Sequence, residues 1–362
     1  MKICFLCVEI FAWGKYGGFG RATRTIGQAL AKKGIVVTAV VPRRKDQKSM
    51  EVLDGITVYG FEPKNFGEAK YYIKKCNADI YHSQEPSMLT VFAQQVMPYK
   101  KHVITFRDTR SVYDWWLEFK DASLNKLQVL LNIVFENNWF VHNAIRKADA
   151  TAAAAKFLVY KSSKLYKLAE TPGFLPTPVS IPSKVEKALG PTVCFLARWD
   201  RRKKPEKFLE LAKSFSHVTF LAVGKSRDPK YDSHLRKSYQ HFANIKMTGF
   251  VDQFEGTGLS EILGPSWILV NTATREGLPN SFIEAAAHKC AIVSEVDPDG
   301  FASQFGYRVR NGDFVSALEH MLYRNAWEAR GRRGYEYVSS VFHVDVAIQK
   351  HIDLYEYVLR TG

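Results

Sequence analysis

The sequence predicts two doubly wound α/β domains, each a parallel sheet with helices on both faces. Short strand-like runs alternate with helical patterns along the whole chain, the order that builds parallel sheets. At 362 residues there is room for two domains that each bury a core. Near the middle, TPGFLPTPVSIPS (171–183) holds four prolines and one glycine, the composition of a linker.

In chain order, KICFLCVEI (2–10) is the first strand, apolar apart from its ends. RATRTIGQALAKKG (21–34) follows as a helix, with Ile26, Ala29 and Leu30 at helical spacing and Gly34 as its stop. VVTAVVPR (36–43), ADIYHSQE (78–85) and HVITFRD (102–108) supply further strands of the first domain. Beyond the linker, VCFLAR (193–198), VTFLAVG (218–224), IKMTGFV (245–251), SWILVNTA (266–273) and CAIVSEV (290–296) alternate with helices. The expected division is 1–172 and 173–344, with a C-terminal helix over 345–362 completing the first domain. In such sheets ligands bind beyond the carboxyl ends of the strands, and two domains can set those ends across a cleft.

Hydrophobic content of 46% and charged content of 24% are those of a soluble globular protein. The longest apolar runs are strand-length, far short of the roughly 18 residues of a membrane span. Glu9 and the glycines after it make MKICFLCVEIFAWG a first strand rather than a signal peptide. Five cysteines, at 4, 7, 76, 194 and 290, are odd in number and scattered, which excludes a secreted disulfide framework and points to a reducing cytoplasm. Cys4 and Cys7 have redox spacing, but on a buried strand they read as small apolar residues. The net charge of +15 favours nucleic acid, an anionic membrane surface or phosphorylated substrates. No helix-turn-helix, zinc or aromatic RNA-binding signature accompanies it, so nucleic acid is not an expected partner.

Three segments can carry chemistry. WGKYGGFGRAT (13–23) follows the first strand and opens the first helix. Gly17 and Gly18 let backbone approach a ligand, and the helix start favours phosphate. A dinucleotide fingerprint fails, because Thr23 stands where the third glycine belongs and the next strand ends in Pro42, Arg43 and Arg44. CFLARWDRRKKPEKFLELA (194–212) runs from a strand through a basic loop to a helix at Pro205. Arg198 and Lys203 sit where a diphosphate would rest; Arg201, Arg202 and Lys207 read as a solvated face. In REGLPNSFIEAA (275–286) Pro279 suits the first helical position. Glu276 then precedes the helix, with Glu284 about 7.5 Å along its axis. Carboxylates repel an anion, so the pair faces something neutral and rich in hydroxyls. A nucleotide-sugar has both a diphosphate and such hydroxyls.

Taken in order, GGFGRATRTIGQALAKKG, ARWDRRKKPEKFLELA and the Glu276/Glu284 pair resemble the retaining glycosyltransferases of family 4, with the two-domain GT-B fold. The pair matches the family's E-x7-E pattern, and the likeness extends to the closing HIDLYEYVL. The resemblance implies a nucleoside-diphosphate-sugar donor. Glu284 would hold its ribose, and Glu276 with the backbone of Gly277, Leu278, Pro279 and Asn280 would hold its sugar. Arg198 and Lys203 would neutralise the leaving diphosphate, with the Gly17–Gly18 backbone against it. No cofactor and no metal are implied, and the acceptor would be a glycan or a lipid-linked sugar on the first domain. Base recognition is expected in GFVDQFE (249–255), at Val251. The family often has a histidine at the strand end where this chain has Arg107, which makes Arg107 a candidate for orienting the sugar; His82, on the neighbouring strand end, is the other.

Residues 110–149 are rich in aromatics and carry Lys120, Lys126, Arg146 and Lys147. They suit a lipid-linked acceptor at the cytoplasmic face of an anionic membrane, unless Trp115, Trp116, Phe119 and Leu130 are core. Two rival enzymes stay open. One is a nucleotide-sugar epimerase of the same fold. The other is a metal-dependent transferase using Asp297-Pro-Asp299, although turns also use Asp freely.

Overall fold

A computed structural model describes residues 1–10, 17–44, 47–120, 126–256 and 258–361, with Gln128 described for its backbone alone. The chain divides into two compact units. The first runs to Phe119, resumes up to Pro178 and is completed by the segment from Val344 onward; the second takes in Val179–His343 and also Lys120.

The first unit holds an eight-stranded sheet. Its strands are β1 (Lys2–Leu6), β2 (Val36–Pro42), β3 (Met50–Leu53), β4 (Ile56–Phe61), β5 (Ile80–Ser83), β6 (Lys101–Phe106), β7 (Ala150–Ala153) and β8 (Gly173–Phe174). They lie in the order β3-β4-β2-β1-β5-β6-β7-β8, parallel throughout except for β3 against β4. The order reverses between β1 and β5.

Both faces of β1 are buried, so it reads as a continuous apolar run. Phe5 and Cys7 pack with Ile26 and Leu30, while Cys4 and Leu6 pack on the other face with Ile73 and Phe92. Cys4 and Cys7 therefore point to opposite sides of the sheet and cannot form a redox pair; burial pushes both thiols well up. Helix Gly18–Lys32 lays Ala22, Ile26 and Leu30 on this core. Gly27 sits so close that a Cβ there would lie 2.5 Å from Ile56 Cδ1. The C-terminal helix, Val344–Arg360, buries Ile348, Tyr355 and Val358 in the same core as Ile3 and Phe5.

β8 pairs with β7 through Ala152↔Gly173 and Ala153↔Phe174. The division thus falls after Pro178 rather than after residue 172. The β3–β4 hairpin also went unpredicted. Its turn, Asp54–Gly55, has φ of 51° and 83°, the pair of left-handed values that a tight hairpin needs.

The second unit holds β9 (Thr192–Leu196), β10 (Thr219–Val223), β11 (Ile245–Gly249), β12 (Ile268–Asn271), β13 (Ala291–Ser294) and β14 (Gly306–Arg308). Their order is β11-β10-β9-β12-β13-β14, all parallel. Here the reversal lies between β9 and β12. Phe195, Phe208 and Phe220 pack ring to ring through this core, with centroids 5.4 and 5.2 Å apart. Among the described residues, no helix is long and apolar enough to cross a membrane.

Candidate functional site

Where strand order reverses in a parallel sheet, the two neighbouring loops diverge and leave a crevice at the strands' carboxyl ends. In the second unit those loops follow β9 and β12, and they are the two that carry the predicted residues.

β9 leads into Arg198 and Trp199. The Trp199 side chain is fully buried, the Trp199 backbone N–H donates to the Lys225 carbonyl at 3.1 Å, and the Arg236 guanidinium carbon lies 4.7 Å from the indole ring centroid. That anchor fixes the loop beyond. Asp200 folds it back, accepting the Lys203 N–H at its carbonyl (3.0 Å) and at Oδ1 (3.1 Å). Lys204 then turns left-handed, φ 47°, and Pro205 begins helix Pro205–Ser214.

The β12 loop is tied to this one. The Thr272 hydroxyl reaches the Lys203 and Lys204 carbonyls at 2.7 and 2.8 Å, and the Thr274 N–H donates to the Arg202 carbonyl at 3.2 Å. The Lys203 ammonium forms an ion pair with Glu276 Oε1. Asn271 Nδ2 donates to the same oxygen at 3.4 Å. Only 14% of the Lys203 side chain and 12% of the Glu276 side chain are exposed, so this pair is held largely away from water. Arg198 differs: its side chain is 34% exposed, and its Nη2 lies 3.6 Å from Asp200 Oδ2. The guanidinium fork is available to an anion.

Pro279 is the cap before helix Asn280–Ala287, with ψ 132°, rather than its first residue. Glu284 therefore lies about 6 Å, not 7.5 Å, beyond the helix start. Its residue is 7% exposed between the buried Ile283 and Ala285. Gly277, Leu278 and Asn280 are half-buried in the turn between the two glutamates. Val251 is half-buried after β11, which β10 and β9 separate from β12. Sequence reasoning passed over Asn271 and Thr272, both buried; the signal was two polar residues closing an otherwise apolar strand.

In the first unit three expectations change. Gly17 caps helix Gly18–Lys32, but Glu9 Oε1 accepts the Gly20 N–H at 3.0 Å. A Cβ on Gly17 would lie 2.1 Å from that oxygen. The helix start that favours a phosphate beside Gly18 thus takes the chain's own carboxylate. Positions 13–16 of that loop lie outside the described residues.

Arg107, at the end of β6, is 6% exposed. Nη1 donates to Thr177 Oγ1 at 3.1 Å and Nη2 to Gln84 Oε1 at 2.6 Å, so it braces strand ends and does not present its fork to a ligand. Burial lowers its pKa to about 10. Glu85 Oε2 accepts the N–H groups of Arg107 and Asp108 at 2.7 and 3.1 Å. Burial raises that carboxyl to about 8. His82 has no exposed surface. Its Nδ1 meets the Tyr355 hydroxyl and its Nε2 the Thr105 hydroxyl, both at 2.7 Å. Desolvation holds it neutral, well below the usual histidine range; it is a core residue, not a sugar contact.

In the Asp297-Pro-Asp299 turn, Asp297 Oδ1 accepts the Ala302 and Ser303 N–H groups at 2.8 and 3.1 Å. That carboxylate starts a helix, which commits it before any metal arrives.

The sucrose-phosphate synthase of Thermosynechococcus elongatus superposes on all of this chain and all of its own, with a TM-score of 0.75 at 14% identity. The chain has the GT-B fold. Anabaena HepE, solved in complex with UDP-glucose, shares the GT-B fold at a TM-score of 0.72 and 13% identity, over 99% of this chain and 100% of that one. The catalytic domain of starch synthase IV from Arabidopsis thaliana, bound to ADP and acarbose, gives 0.64 at 12% identity over 99% of both chains. The family model "Glycosyl transferases group 1" matches residues 190–323. That stretch contains Arg198, Lys203, Glu276 and Glu284 together. The "Starch synthase catalytic domain" model matches residues 2–159. No curated protein matches the chain.

Proposed function

We propose that this chain is a retaining glycosyltransferase of family 4, moving a sugar from a nucleoside diphosphate to a glycan or lipid-linked acceptor. One observation carries the reading: Lys203 and Glu276, brought from separate loops, meet at the reversal point of the second sheet. A diphosphate and a sugar need a cation and a carboxylate side by side, and these loops supply both.

In this reading Glu284 accepts hydrogen bonds from the ribose hydroxyls, and Glu276 with the turn Gly277–Asn280 holds the donor sugar. As the bond from the anomeric carbon to the diphosphate breaks, negative charge collects on the leaving oxygens, where Arg198 and Lys203 oppose it. The acceptor oxygen attacks from the face the diphosphate leaves, and a donor phosphate oxygen takes its proton. The acceptor is assigned to the first unit. No metal is required, so turnover continues in excess EDTA.

Support comes from the fold, from the family match over 190–323, and from neighbours solved with UDP-glucose and with ADP. A thermal-shift screen against UDP, GDP, ADP and their sugars tests the reading. A ligand at about 100 times its Kd stabilises by about 2.7 kcal/mol. A shift with one nucleoside diphosphate, and sugar transfer only when acceptor is added, is the expected outcome. No shift with any of them, or an isomerised donor formed without acceptor, contradicts it.

A further inference from the structure

Three helices, Val112–Lys120, Lys126–Glu136 and Trp139–Arg146, which apart from Lys120 belong to the first unit, turn large apolar side chains outward. On the second, Leu127, Leu130, Leu131 and Val134 fall on one face at helical spacing and are 64, 48, 54 and 68% exposed. Val112, Tyr113 and Trp116 on the first, with Trp139 and Phe140 on the third, are all more than half exposed. Of the aromatics whose place the sequence left open, Trp115 is core at 6% and Phe119 half-buried, whereas Trp116 is not core. The four aliphatic side chains make one stripe on their helix, and ring centroids lie 5.9 Å apart for Tyr113 and Trp116 and 5.2 Å apart for Trp139 and Phe140; exposed apolar stripes of this kind mark an interaction site.

The leucines are not simply waiting to roll inward, because the opposite side of their helix is committed. Glu136 Oε2 accepts from Arg110 Nη1 at 3.2 Å, and Arg110 also holds Asp108 at 3.0 Å and lies 4.5 Å from the Trp115 ring centroid. Phe135 stacks on Phe66, with centroids 6.3 Å apart. Exposed basic side chains stand on the second and third of these helices and at the end of the third: Lys126, Arg146 and Lys147. Over 1–178 and 344–362 the sequence has 28 Lys and Arg against 18 Asp and Glu.

We infer that this face docks on an anionic lipid bilayer. The leucines and Val134 enter the acyl boundary, the Trp and Tyr rings lie at headgroup depth, and the basic residues meet lipid phosphates. Charge chooses this occupant over a second copy of the chain, whose equally basic helices would repel. The inference stands apart from the sugar-transfer reading, because vesicle binding is read without donor or acceptor.

Co-sedimentation of the full chain with vesicles tests it. Mixed phosphatidylcholine–phosphatidylglycerol vesicles should retain the protein, pure phosphatidylcholine should retain much less, and added salt should release it. Leu130→Ser with Leu131→Ser should weaken retention about tenfold or more. Its melting temperature should hold, since both side chains face solvent. Lys126→Glu with Arg146→Glu should abolish the preference for anionic lipid. The inference is overturned if wild type ignores the mixed vesicles, or if the leucine variant binds them as wild type does. It is equally overturned if the face proves to join two copies, shown by a dimer that the leucine variant splits and by absent vesicle binding.

Discussion

Arg198→Ala should lower turnover at saturating donor by about 100-fold or more, the loss that follows removal of one donor to a developing oxyanion. The effect belongs in kcat because the charge on the leaving diphosphate grows as the sugar departs, so the guanidinium works hardest in the transition state. The structure leaves Arg198 suited to this: it is partly exposed and held by Asp200 only at 3.6 Å, so an incoming anion displaces little. Arg198→Lys should recover part of the loss, since an ammonium keeps the charge but not the two-pronged geometry. Folding should be unaffected, because Trp199 anchors the loop. Steady-state kinetics at saturating donor measures this directly. Equal losses in kcat/KM and donor affinity, with kcat unchanged, would assign Arg198 to ground-state binding.

Glu284→Ala should weaken the preferred nucleoside diphosphate by about tenfold or more, because a hydrogen bond to a charged group contributes about 1.5–3 kcal/mol. Glu284 sits on a rigid helix between buried alanines and Ile283, so its carboxylate is positioned before ligand arrives. The loss should appear with the free nucleotide as well as with the nucleotide-sugar, since ribose is common to both. Glu276→Ala should behave differently, affecting the sugar-bearing ligand more than the bare nucleotide. Calorimetric titration of both ligands into both variants separates the two roles. An unchanged nucleotide affinity in Glu284→Ala would remove the ribose assignment.

The parallel strands were legible because burial on both faces makes them continuous apolar runs. β7, reading ATAA, and the two-residue β8 carry too little apolar bulk to announce themselves. The hairpin around Asp54–Gly55 did carry a turn signal in LDGI that was passed over. At the candidate site, residue types and order pointed to the loops after β9 and β12, but not to the contact between Lys203 and Glu276, which are 73 positions apart. Long-range partners also explain the failures. His82 stands at a strand end, but its ring meets the hydroxyl of Tyr355, 273 positions on, which no local pattern announces. Arg107 is spent on Thr177, 70 positions away. Glu9, read from the sequence only as a strand residue, fills the anion position of the first helix.

Hydrogen–deuterium exchange of the full chain, with and without saturating nucleoside diphosphate, tests the donor assignment most directly, since it needs neither acceptor nor turnover. The account predicts slowed exchange in peptides covering 198–204 and 276–287, with the Gly18–Lys32 helix changing less. Protection confined to the first unit, or a ligand that binds while leaving both second-unit loops unaltered, would contradict it.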